Sequence, residues 1–225
     1  RYSPKIEKKV TSGKNIGIVN GLAVYGSSFG SVMEIEANAK LTEKGKGKLT
    51  VTGIIEQEEY DNKGQKLTKK SSAYASVENM LTVLDKYFNL NINDYDIHIN
   101  FPCCAPVDGP SAGIAIVAAV YSAITRKPID CQIAMTGEIS IKGAVKPVGG
   151  VVAKVEAAVK AGVKKVLIPE ENYQQLFEDL DIEVIPVSNI FEVMDEIFES
   201  NSKSSIRKPS ASNDDSVIAA AGIQA

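Results

Sequence analysis

Two side chains in this sequence have the type and the setting for covalent chemistry on a carbonyl. Ser111 stands in DGPSAG (108–113), between glycines and directly ahead of the apolar run IAIVAAVY (114–121). The length and alanine content of that run predict a buried helix rather than a strand. Pro110 suits a first helical turn, where a missing N–H removes no bond, and the other donors of such a turn can stabilise an oxyanion. Ser111 is therefore the candidate nucleophile, and the backbone at Gly109, Pro110, Ser111 and Ala112 the candidate oxyanion site. The plainer role for Ser111 is to cap a core helix.

A serine nucleophile needs a proton acceptor. GGVVAKVEAAVKAG (149–162) has helical periodicity, with Val152, Val155 and Val159 toward a core and Glu156 and Lys160 toward water. Lys154 belongs to neither group. Its neighbours at helical spacing are Val151, Ala157, Ala158 and Ala161, so its stem runs along a flank of small apolar side chains. An ammonium held there is poorly solvated, its pKa falls, and the neutral amine that a general base requires becomes accessible. A snorkelling lysine at the edge of the core is the plainer alternative.

Together, DGPSAGIAIVAAVYSAI and MTGEISIKGAVKPVGGVVAKVEAAVKAGVKKVLIP resemble the proteolytic domain of Lon proteases in order and spacing, from about Asp96 to Phe198. The DGPSAG form is similar to bacterial rather than archaeal members. The resemblance implies a serine endopeptidase with a Ser–Lys dyad, Ser111 and Lys154, on the Lon proteolytic-domain fold. It implies supporting roles for Asp108, Thr136 and Glu138. A hydroxyl at Thr136 near Lys154 would orient the amine, although a strand-end hydrogen bond to backbone is an equal alternative. It further implies an ATP-driven unfolding module, with ATP and Mg bound there and no cofactor in this segment, a homo-hexameric ring, and unfolded, damaged or regulatory proteins as substrates. An ATP-independent Lon-like peptidase and a non-catalytic Lon-like interaction domain are the alternatives. The chain departs from the family in one place. Many relatives carry two histidines on the strand before the nucleophile loop; here His98 is followed by Asn100, and the loop with Cys103 and Cys104 is about one residue shorter.

A histidine triad is the rival chemistry. Alternation on a strand over 95–101 puts Asp96, His98 and Asn100 on one face, so His98, Asp108 and Ser111 could supply base, carboxylate and nucleophile. A structural or substrate-lining His98 is the simpler reading. The Ser-x-x-Lys spacing at Ser200 to Lys203 falls in a polar tail and reads as chance.

The elements that must position these residues alternate between β and α. Strands are expected at 16–25, 31–41 and 48–55, with a turn at Gly45, Lys46 and Gly47. The polar stretch 56–70 is expected to lead into a helix marked by Ala73, Val77, Met80, Leu81, Leu84 and Phe88. Then come a strand at 95–101, the Ser111 helix, strands near 133–136 and 145, the Lys154 helix, a strand at 166–168, a helix at 170–179, a strand at 183–187 and a helix at 190–198. This is an α/β chain of mixed α+β character, with mixed sheets and packed helices. Residues 1–199 are expected to form one domain, with N-terminal strands over 16–55 and a catalytic part over 72–199, and 200–225 a flexible tail.

Composition bounds the function. With 225 residues and 44% hydrophobic content the chain can bury a substantial core. A net charge of -3 argues against nucleic-acid binding driven by overall charge. One histidine and three cysteines without ligand spacing predict no metal site and no secreted disulfide framework. No apolar segment is long enough for a bilayer and no signal peptide opens the sequence, so a reducing, cytoplasmic compartment is expected. The first residue is Arg, as expected of a piece of a longer polypeptide. Gly45-Lys46-Gly47-Lys48 lacks the first glycine and the hydroxyl of a phosphate loop.

Overall fold

The computed structural model describes residues 9–25, 29–54, 57–62, 65–102 and 109–198. Asp108, Cys103, Cys104 and the tail expected at 200–225 lie outside the described residues. The chain runs through β1 (Lys14–Asn15), β2 (Ile18–Tyr25), β3 (Phe29–Leu41) and β4 (Leu49–Thr52), then β5 (Gln57–Asn62), β6 (Gln65–Lys70) and the helix α1 (Ser72–Phe88). β7 (Tyr95–Asn100) precedes α2 (Gly113–Thr125), and β8 (Ile129–Asp130), β9 (Ile133–Met135), β10 (Glu138–Ile139) and β11 (Val145–Lys146) lead to α3 (Val151–Ala161). β12 (Lys165–Pro169), β13 (Glu183–Val187) and α4 (Ile190–Phe198) follow.

Seven strands form one mixed sheet in the order β13-β12-β9-β2-β3-β7-β4. From β13 to β2 neighbouring strands are parallel, whereas β3 is antiparallel to both β2 and β7. The two halves bury their faces differently. In β12 the successive residues Val166, Leu167 and Ile168 are all fully buried, as a parallel strand covered on both faces requires. Val166 and Ile168 pack with Val151, Val155 and Ala158 of α3 on one side. Leu167 joins the larger core formed with α1, α2 and α4 on the other. In β7, by contrast, Ile97 and Ile99 are buried while Asp96 and His98 are exposed, the alternation read from the sequence.

The α/β class is as expected, with two local departures. The polar stretch 56–70 contains a hairpin, β5 paired with β6 from Gln57↔Lys70 to Asn62↔Gln65. A ribbon whose strands hold one apolar residue each, Tyr60 and Leu67, carries no hydrophobic period by which the strands announce themselves. The helix expected over 170–179 is two 3-10 turns, Glu170–Asn172 and Gln175–Asp179, separated by Tyr173 in an extended conformation. Only Phe177 of this segment is buried, so no apolar stripe sustains a longer helix.

Candidate active site

Ser111 sits in the 3-10 turn Pro110–Ala112, one step ahead of α2, with Gly109 before it at φ 106°. Neither that turn nor α2 is capped by a side chain, so the capping role is not the one the fold gives to Ser111. The turn is pinned from two sides. The Ser111 carbonyl accepts the Gly137 N–H at 2.9 Å and the Thr136 hydroxyl at 3.2 Å, and Ile114 N–H reaches the Gly137 carbonyl at 3.2 Å. From α1, the buried Ser76 hydroxyl lies 3.3 Å from the Pro110 carbonyl. Behind the turn every residue from Ile114 to Val120 is fully buried, which anchors the half-buried Ser111 to the core.

Lys154 is more deeply placed than its sequence neighbours imply. The core stripe of α3 is Val151, Lys154, Val155, Ala158 and Ala161, with Val152 and Val159 only half-buried. Lys154 is thus on the core face itself rather than on a flank, because the helix is turned so that its small residues meet β2 and β3. Gly30 permits this approach: a Cβ there would stand 1.9 Å from the Ala153 carbonyl oxygen. Gly150, at φ 67°, opens the helix in the left-handed conformation that glycine adopts without strain. Only 1% of Lys154 is exposed, and burial lowers its pKa from 10.5 to about 8. Its Nζ donates to Thr136 Oγ at 3.1 Å. Thr136, fully buried, therefore links the Lys154 amine to the Ser111 carbonyl through one hydroxyl.

Ser111 and Lys154 line the same cavity, of about 500 Å³, whose walls are residues 21–25 of β2, Met33, residues 109–112, and Pro147, Val148 and Gly149 ahead of α3. The other expected residues are placed elsewhere. His98 is exposed and lines a separate cavity of about 580 Å³ with Glu36, Thr52, Asn100 and Arg126. Its strand partner Asn38 lies five residues along β3 from Met33, roughly 17 Å at strand rise. Glu138 is half-buried in the β10–β11 hairpin, opposite Lys146. Of the candidate oxyanion backbone, Pro110 has no N–H to give, which leaves Gly109, Ser111 and Ala112 as candidate donors.

Several contributors escaped sequence reasoning. The β2 wall reads as an ordinary core strand. Ser76 acts across 34 residues and Asn172, whose Oδ1 accepts the Val148 N–H at 2.8 Å, across 24. No local pattern marks such contacts.

A buried amine and a serine at a pinned helix start thus share one cavity on an α/β sheet. Residues 3–200 match the family model described as the Lon protease (S16) C-terminal proteolytic domain. The chain is 50% identical over 198 residues to Lon protease 2 of Bacillus subtilis, covering 88% of this chain and 36% of that protein. It is 40% identical over 200 residues to the archaeal Lon protease of Archaeoglobus fulgidus, covering 86% of this chain and 30% of the relative. With the archaeal Lon protease of Pyrococcus abyssi it shares 39% over 205 residues, 88% of this chain and 19% of the relative. The chain belongs to the Lon proteolytic-domain family and is a serine protease domain. It spans between about a fifth and about a third of the length of these relatives.

Proposed function

We propose that this domain hydrolyses peptide bonds of unfolded or damaged proteins through a dyad of Ser111 and Lys154. The observation that carries the reading is the fully buried Lys154 amine, lowered to a pKa of about 8 and held to Thr136 in the cavity that Ser111 also lines. Neutral Lys154 takes the proton from Ser111 Oγ as that oxygen attacks the scissile carbonyl. The N–H groups of Ser111 and Ala112, ahead of any helical partner, receive the oxyanion. Protonated Lys154 then gives its proton to the leaving amine, and water, activated by the same amine, releases the acyl group. Thr136 keeps the Nζ lone pair aimed by accepting one of its N–H bonds while its own proton goes to the Ser111 carbonyl.

An extended substrate suits the β2 wall. Among the described residues β9 pairs with β2 at Asn20 and Gly21, so residues 22–24 offer a strand edge along the cavity. A peptide added there gains main-chain hydrogen bonds without regard to its sequence. That property fits a protease acting on many unfolded chains.

Coupling to an ATP-driven unfolding module, assembly as a homo-hexameric ring and a cytoplasmic setting complete the proposal. ATP and Mg bind in that module. Residues 45–48 of this chain join β3 to β4 rather than a strand to a helix. No helix among the described residues is long and apolar enough to cross a membrane. The test is labelling by a fluorophosphonate: wild type is acylated at Ser111, and Ser111→Ala stays folded, unlabelled and at least about 10⁴-fold less active. Peptide cleavage by the folded Ser111→Ala protein at the wild-type rate contradicts the proposal.

A further inference from the structure

We infer that Asn172 is a positioning residue that sets the productive shape of the substrate cavity by tethering the wall formed ahead of α3. The inference rests on the peptidase reading and deepens it. That wall is Pro147, Val148 and Gly149, the segment between the end of β11 and the start of α3. Its composition makes it poor at holding itself. Pro147 has no N–H, and Gly149 and Gly150 have the largest conformational freedom of any residue. The Val148 N–H is therefore the handle by which the segment can be fixed, and the Asn172 side-chain oxygen takes it at 2.8 Å.

The residue that holds this handle is itself well supported. Asn172 ends the 3-10 turn that follows β12, and Tyr173 N–H closes that turn on the Glu170 carbonyl at 3.0 Å. Tyr173 stacks edge-on against Phe177, ring centres 6.0 Å apart, and Phe177 is buried in the same core as α3. The tether thus runs from the carboxyl end of β12 to the cavity wall, beside the carboxyl end of β9 where Thr136 stands. Asn172 is not among the residues that line the cavity, and neither Ser111 nor Lys154 is its partner. Its loss should reach the substrate and spare the dyad.

This separates it from a residue that merely stabilises the fold. Steady-state cleavage of an unstructured peptide and the rate of Ser111 acylation by a small fluorophosphonate, which needs little of the wall, are measured for wild type, Asn172→Ala and Asn172→Asp. In Asn172→Ala the peptide KM should rise about tenfold, the effect of one lost hydrogen bond, with kcat and acylation within about twofold of wild type. Asn172→Asp keeps an acceptor for the Val148 N–H and should return KM to within about threefold of wild type. An unchanged KM in Asn172→Ala, an equal fall in peptide cleavage and acylation, or failure of Asn172→Asp to rescue overturns the inference. Wild-type protein that the fluorophosphonate does not label at Ser111 overturns the peptidase reading itself, and this inference with it.

Discussion

Among the described residues, a cavity of about 500 Å³ beside Ser111 and one of about 580 Å³ beside His98 differ in how deeply they bury their titratable groups. In the first, Lys154 is 1% exposed and its amine meets a single neutral hydroxyl. In the second, exposed His98 belongs to a polar chain: Thr52 lies 3.2 Å from its Nε2 and donates to Asn100 at 2.8 Å, and Asn100 donates to Glu36 at 2.8 Å. The residue type usually associated with proton transfer near neutral pH is the solvated one. The type usually charged is the one driven toward neutrality. Burial as well as intrinsic pKa sets whether a group can be neutral near physiological pH, and burial follows from sheet architecture, since α3 packs against β2 and β3 but leaves β7 with a polar open face.

Breaking the contrast at Lys154 should have the largest effect. Lys154→Met removes the proposed base and should lower peptide cleavage by about 10³-fold or more. The same change should stabilise the fold. A lysine whose pKa falls from 10.5 unfolded to about 8 folded is bound to fewer protons in the native state between those values, so stability rises with pH across that window. Below pH 8 the wild type carries the whole penalty, about 3 kcal/mol, and above 10.5 none of it. Chemical denaturation at pH 7 should show Lys154→Met the more stable by a few kcal/mol, with the difference vanishing near pH 10.5. A variant less stable than wild type at pH 7 would mean that the amine is well accommodated in its charged form.

A smaller loss should follow at Thr136. Thr136→Val keeps the shape but removes the acceptor for Lys154 and the donor to Ser111, and the rate should fall by about 10- to 100-fold, with Thr136→Ser close to wild type. Equal rates for the valine and serine forms would reduce Thr136 to packing. At the other cavity, His98→Gln should change turnover by less than about threefold and leave Ser111 acylation intact. Complete loss of acylation in the folded variant would shift the base role to His98.

How much of this was legible in the sequence depends on whether a feature is local. The nucleophile turn, the lysine helix and the alternation of Asp96, His98 and Asn100 are set by neighbours within a turn or a strand, and each could be read. The strand 95–101 and the helices α1, α3 and α4 follow from apolar periodicity, and α2 from the length and alanine content of its unbroken apolar run. The depth of Lys154 was understated, because the rotation of α3 is fixed by the approach at Gly30, more than a hundred residues earlier. The β5–β6 hairpin and the 3-10 turns after β12 escaped because neither has a sustained apolar period. Thr136 was named through family resemblance, and its contacts depend on a β9 end meeting a turn 25 residues before it. Ser76 and Asn172 had no signal at all.

The most direct test of the central claim, that Lys154 works as a buried neutral base, is the pH dependence of Ser111 acylation by a small fluorophosphonate in wild type and Lys154→Arg. The wild-type rate should rise with pH through a single limb near the lowered lysine pKa of about 8 and level off above it. Lys154→Arg keeps the positive charge but cannot deprotonate, so its acylation should be lost across the whole range. A wild-type rate flat from pH 6 to 10, or an arginine variant acylated at near the wild-type rate, would contradict the account.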